Sequence, residues 1–294
     1  MERTKYTIEG FADDHQLIRQ FMICLQQKAL GEDIQELLSS IAIWMNENFL
    51  CLNQDKTKIL VIAPPSIQRE IVIRGVFLEN VCIRFVKSAK NLGVILDNEL
   101  SFECQINKVV KGCYAVIKKL FQIKGFLSEQ ELRQLVSSDI FSQMDYCNAL
   151  YYGINANLIS KLQRVQNCAA RLVSKATIPT ANMDNVLMDL HWLKVKFRNI
   201  YKILLITHNC LNQNAPEEIM SMLEYGVSVR TMKLQETKFS NRYGSRAFSH
   251  TAPKLWNLLP KNIRDEKVTN KFKTLLKSFL MIRGEEYLIW VNRR

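Results

Sequence analysis

No Cys-x-x-Cys pair occurs among the eight cysteines of this 294-residue chain, and no spacing of Cys and His fits a zinc knuckle or finger. His191 and His208 stand far from any Cys pair or acidic cluster in sequence, which argues against structural zinc. The cysteines (Cys24, Cys51, Cys82, Cys104, Cys113, Cys147, Cys168 and Cys210) are scattered, mostly inside apolar runs, as buried free thiols of a reducing compartment are. Long hydrophobic runs are missing too. Stretches such as Ile59 to Pro65 fall far short of the roughly 20 apolar residues of a membrane span. Met1-Glu2-Arg3-Thr4-Lys5 leads straight into polar sequence without an apolar leader, so a soluble intracellular protein of cytoplasm or nucleus, with no membrane partner, is expected. No internal repeat or low-complexity tract interrupts the chain.

What is present suits a folded chain. With 48% hydrophobic and 23% charged residues, 294 positions can build one large core or two modest ones. Acidic residues are few, 28 against 40 Lys and Arg, and the net charge of +12 is unevenly placed. Between Arg230 and Lys277 stand 12 Lys/Arg against 3 Asp/Glu. Such a field attracts polyanions by counterion release, nucleic acid being the usual partner and an anionic membrane surface the alternative. It also fits a lysine-rich surface that only keeps a protein in solution.

Periodicity divides the chain into a mixed first part and a helical remainder, an α+β class. From Asp33, the residues Ile34, Leu37, Leu38, Ile41, Met45 and Phe49 recur at helical spacing. This helix is expected to pack on a sheet containing Lys58 to Ala63, with further strands at 71–73, 81–86 and 92–96. Beyond Phe102 the spacing predicts helices near 102–123, 128–150, 156–175, 191–211 and 215–224, a basic linker over 227–243, and short helices near 252–259 and 270–281. Ser128-Glu129-Gln130-Glu131 is a capping box, and Asn157 a candidate cap.

Near the N-terminus stands Phe11-Ala12-Asp13-Asp14, between apolar, strand-like runs at 6–11 and 16–22. Adjacent aspartates are common in turns, where they bind backbone amides. At a hairpin tip they also present carboxylate oxygens to a divalent cation. The next unusual stretch is Asn53-Gln54-Asp55-Lys56-Thr57-Lys58-Ile59, preceded by Leu52. Lys90-Asn91-Leu92-Gly93-Val94-Ile95-Leu96-Asp97 follows. In order, these resemble the aromatic-Ala-Asp-Asp motif, the Leu-Asn-x-x-Lys-Thr segment and the primer grip of non-LTR retrotransposon reverse transcriptases. Met144 to Leu150, Lys161 to Leu172, Leu190-His191-Trp192-Leu193, Ser245 to Phe248 and Ala252 to Pro260 likewise resemble the thumb and C-terminal region of the Jockey and chicken-repeat-one group.

The resemblance implies a partial polymerase palm with primer grip over 1–100, a helical thumb-like domain over 101–226 and a basic C-terminal region over 227–294. It implies RNA-directed DNA polymerase activity on an RNA template and DNA primer. Mg²⁺ would be held by Asp13 and Asp14, with Lys56 or Lys58 steadying phosphates and Leu92, Gly93 and Val94 as primer grip. Lys161, Arg164, Arg171, Arg246, Lys271, Lys273 and Lys277 are the implied nucleic-acid contacts. Gly93 suits either close backbone approach to a primer or a simple bend, and Trp192 and Trp256 suit base stacking or, flanked by leucines, a core. In that family a further metal-binding aspartate and the fingers lie upstream, whereas twelve residues precede Asp13, so a severed and inactive polymerase is expected. The alternatives are a non-catalytic nucleic-acid-binding protein and an inert remnant. Phe11 replaces the commoner tyrosine, and Lys194 replaces the usual proline after His-Trp-Leu, which is expected to loosen that turn.

Overall fold

The computed structural model describes residues 7–11, 14–20, 27–73, 75–78, 81–174, 182–224, 233–237, 239 and 243–293. The chain is α+β, mainly helical with small sheets, and forms two compact units, Met1–Ser101 and Phe102–Arg294.

In the first unit β1 (Thr7–Phe11) and β2 (Asp14–Ile18) pair antiparallel with Phe11 opposite Asp14. Helix α1 (Gln27–Glu47) begins earlier than its apolar stripe suggests and packs on a three-stranded sheet. That sheet orders β3 (Ile59–Leu60), β5 (Val81–Val86) and β4 (Gly75–Leu78), with β3 parallel and β4 antiparallel to the centre. Leu38 and Ala42 of α1 meet Val76 and Ile83 there, in a small core. β3 is shorter than expected because Pro65 starts a helix, α2 (Pro65–Glu70), instead. The expected strand at 71–73 does not form. A second hairpin follows, β6 (Ser88–Asn91) and β7 (Val94–Asp97), in place of the single run at 92–96.

The second unit opens with α3 (Glu103–Ile123) and α4 (Glu129–Leu135). Both bonds of the capping box form, the Ser128 amide donating to Glu131 Oε2 at 2.7 Å and the Glu131 amide to Ser128 Oγ at 3.3 Å. Instead of continuing as α-helix, α4 widens into a π-helical turn over Val136–Phe141 and returns as α5 (Ser142–Asp145). Next comes α6 (Ala156–Val173), capped by Asn155 rather than Asn157, whose amide is the donor to Asn155. Its stripe of Leu158, Leu162, Val165, Ala169 and Leu172 is buried, and it packs on α3.

Then follow α7 (Met183–Asp189), α8 (Val195–Leu211), α9 (Glu217–Met220), α10 (Phe248–Asn257), α11 (Lys261–Arg264) and α12 (Thr269–Arg293). The last is twice the expected length. Phe197, Ile200 and Leu204 of α8, Leu255 and Trp256 of α10, and Phe272, Leu276, Leu280 and Tyr287 of α12 share one core. Leu234 and the helices from α10 to α12, all within the expected C-terminal region, therefore pack within the helical unit. Buried Tyr287 donates to the Leu255 carbonyl, a last-turn acceptor of α10. The cysteines correct one expectation: the described ones are free, but Cys51, Cys82, Cys104 and Cys147 are exposed, and only Cys113 and Cys210 are buried.

Candidate functional site

In the first unit two of the three motif segments fold as turns. Asn53 organises its own: Oδ1 accepts the Lys56 amide at 3.0 Å, while its carbonyl accepts both the amide and the hydroxyl of Thr57, at 3.0 and 2.8 Å. The Asn and Thr of the motif thus close a turn that carries Lys56 exposed. No described residue is bonded to the Lys56 ammonium.

Leu92 and Gly93 form the two-residue turn of the β6–β7 hairpin, with φ of 42° and 88°. Both angles are positive, as a type I′ turn requires; glycine accepts this freely and leucine does not. Gly93 is therefore a hairpin turn residue, Val94 is buried, and Leu92 stands half-exposed at the tip. Asn91, the residue before the turn, donates from Nδ2 to Gln16 Oε1 of β2 at 2.7 Å. That bond ties together two hairpins 75 residues apart. Asp13 lies outside the described residues, and of Asp14 only the backbone in β2 is described. Asp97 is engaged in its own turn: Oδ1 accepts the amides of Glu99 and Ser101, and Oδ2 the Ser101 hydroxyl. Among the described residues no three His, Cys, Asp or Glu cluster as a metal site.

In the second unit the expected contacts are dispersed. Arg164 and Arg171 are exposed on α6, while Lys161 is half-buried and donates to Asn107 Oδ1 at 2.8 Å. Arg246, in a tight turn at Gly244–Arg246, lies across Gly153, where an added Cβ would come within 2.9 Å of its Cγ. Lys271, Lys273 and Lys277 are exposed along α12. Trp256 is 1% exposed and belongs to the core.

Only Lys277 among these residues borders an open cleft of about 370 Å³. One wall is a column of residues four apart, Arg133, Ser137, Phe141 and Asp145. In an α-helix each four-residue step overshoots a full turn by about 40°, so such a column would wind away. The π turn takes more residues per turn and keeps the column on one side. Facing it are Arg198, Tyr201 and Lys202 of α8.

Asp145 holds the Arg198 guanidinium by a two-pronged pair, Nε donating to Oδ1 at 2.9 Å and Nη2 to Oδ2. The same guanidinium lies 4.3 Å from the Phe141 ring centre, and Trp192 meets that ring edge-on at 4.7 Å. Burial pushes the Tyr201 hydroxyl above its ordinary pKa, so it stays a neutral donor. Asn148, 3% exposed, gives its Nδ2 to Asp145, while its buried Oδ1 has no partner among the described residues. An acceptor left so costs about 1–3 kcal/mol.

The His-Trp-Leu motif delivers Trp192 to this cleft. After α7, the Trp192 amide donates to the Leu187 carbonyl and the His191 amide to that of Met188, the paired bonds of a Schellman end, with His191 in the left-handed position at φ 56°. The substituted Lys194 does not leave the turn loose: its ammonium bridges Asp184 at 2.8 Å and Glu285 at 3.4 Å. Burial alone would lower the Lys194 pKa and raise that of Glu285. The hydrogen bonds and opposite charges outweigh it, so Lys194 ends above and Glu285 below its usual range.

No family model, curated protein or solved structure matches the chain. Arg133, Arg198 and Lys202 escape a reading of sequence motifs, whereas Asn148 falls within the Met144 to Leu150 segment. The spacing of Arg198 and Lys202, one helical turn apart, is the signal that was there to find.

Proposed function

We propose that this chain binds nucleic acid as part of the reverse transcriptase that its motifs resemble, and that it does not extend a primer by itself. The observation that carries the reading is the Asn91–Gln16 hydrogen bond, which joins the hairpin of the Ala-Asp-Asp motif to the hairpin of the primer-grip motif. A palm requires that proximity, because the primer end must meet the metal-held phosphates. The hairpin, helix and short strands of the first unit then correspond to half of a palm, and α3 to α6 to a thumb.

Mg²⁺ would be held by the carboxylates of Asp13 and Asp14, where it would activate a hydroxyl and neutralise phosphate charge. The described residues do not complete that site. Mg²⁺ asks for near-octahedral oxygen coordination, and Asp97, the aspartate of the second hairpin, is committed to its own turn. No polymerisation step is therefore assigned to this chain.

The cationic cleft supports the alternative reading, a nucleic-acid-binding protein without catalysis. The test is twofold. Purified chain with Mg²⁺ or Mn²⁺ should not extend a primer on an RNA template, whereas its affinity for single-stranded RNA should fall steeply between roughly 50 and 200 mM salt. Template-dependent incorporation that disappears in the double variant Asp13→Ala, Asp14→Ala would restore the enzyme. RNA binding that is absent at low salt would remove both readings.

A further inference from the structure

The cleft of the helical unit has the composition of a site for a strand of nucleic acid rather than that of a solubilising surface. Arg133, Arg198, Lys202 and Lys277 border it with one carboxylate, Asp145. That carboxylate is consumed by Arg198, and Arg133 is shared with Glu129 at 2.7 Å. Lys202 and Lys277 have no carboxylate partner among the described residues, so their charge is available to a ligand. They stand on different helices, α8 and α12, and converge on one opening. Between them and the π-turn wall lies half-buried Trp192, its ring braced edge-on by Phe141 and its approach fixed by the Schellman turn.

A ligand for this arrangement needs anionic groups for the two lysines and a flat apolar face for the indole. A volume of about 370 Å³ is near the lower end of small-ligand clefts and holds one nucleotide unit, not a duplex. An acidic peptide would satisfy the lysines but, having no flat ring, not the indole.

We infer that the cleft seats one nucleotide of a single strand, with backbone phosphates on Lys202 and Lys277 and the base against Trp192. This rests on the nucleic-acid reading above and names its site. The test uses the full chain, a fluorescent twelve-nucleotide oligouridylate, and three variants: Lys202→Ala with Lys277→Ala, Lys118→Ala with Lys119→Ala, and Trp192→Phe. Lys118 and Lys119 are exposed on α3 and match the charge removed.

At 0.15 M salt the cleft pair should lose about tenfold in affinity, and its plot of log affinity against log salt should flatten by about 1.4, two phosphate contacts of a single strand. The α3 pair should change by much less. Oligonucleotide should quench tryptophan fluorescence in the parent chain, and Trp192→Phe should abolish most of that quench. Far-ultraviolet circular dichroism confirms that each variant is folded. If the parent binds but the two lysine pairs weaken it equally and Trp192→Phe quenches as before, nucleic-acid binding stands and the cleft assignment falls. If the parent does not bind, the broader reading falls as well. Displacement of the oligonucleotide by oligoglutamate at equal concentration would also overturn the proposal, in favour of an acidic peptide.

Discussion

Cys113 illustrates how the sequence pattern and the environment part company. Eight cysteines in apolar runs look alike in sequence, yet Cys113 is fully buried while Cys51, Cys82, Cys104 and Cys147 reach solvent. Burial pushes the Cys113 thiol up to about 11, because the interior disfavours the thiolate. At pH 8 only about a thousandth of it would be ionised even if reagent could enter. Iodoacetamide at pH 8 should therefore label the four exposed cysteines within minutes and leave Cys113 unmodified until denaturant is added, as peptide mass spectrometry can read. Early labelling of Cys113 would mean that the packing of α3 against the π turn, where its thiol meets the Ile140 carbonyl, opens readily. Lys194 teaches a related lesson. Its backbone, at φ −55°, is where proline would fit, so the lysine keeps a proline-like turn and adds an exposed ionic tether.

Among the elements, those fixed by local chemistry were legible and those fixed by distant partners were not. The capping box before α4 and the stripe of α6 involve neighbours within a few residues, and both form where expected. Ile71-Val72-Ile73 has the composition of a strand, and the chain is extended at Ile71, but no neighbouring strand pairs with it. Helix α12 runs past Gly284, which in sequence reads as a stop. There the glycine serves a crossing. A Cβ added at Gly284 would lie 2.8 Å from the ring of buried Phe197 on α8. Alanine gains about 1 kcal/mol of helix propensity, whereas overpacking costs about 1–3 kcal/mol. Gly284→Ala should thus lower stability by up to about 2 kcal/mol, measured by urea unfolding; a more stable variant would show that Phe197 has room to move. The cleft was the least legible part, since a π turn has no sequence signature and its lining residues come from several separate segments.

Taken whole, the two units differ in what holds them. The helical unit buries Trp256, Phe272 and Tyr287 with a dozen or more aliphatic side chains, largely where α8 meets α10 and α12. The first unit has a core of Leu38, Ala42, Val76 and Ile83, with Phe49, Ile43 and Trp44 exposed. Sub-global opening is easiest where few apolar contacts resist it. Amide hydrogen exchange should accordingly be fast in β1, β2 and α1 and slow in α3, α6, α8 and the middle of α12. Equal protection of β1 and α6 would show that the first unit is as well anchored as the second. The wide turn at Val136–Phe141 gives a different kind of latitude. Its longer hydrogen-bonded rings hold a residue that an α-helix of the same rise would not need. One codon deleted between Ser137 and Phe141 would leave a continuous α-helix whose wall residues, then spaced four, three and four, still share one face. The cleft wall therefore has one residue of length to spare at this turn, where a straight α-helix would turn every later residue by about 100° for the same deletion.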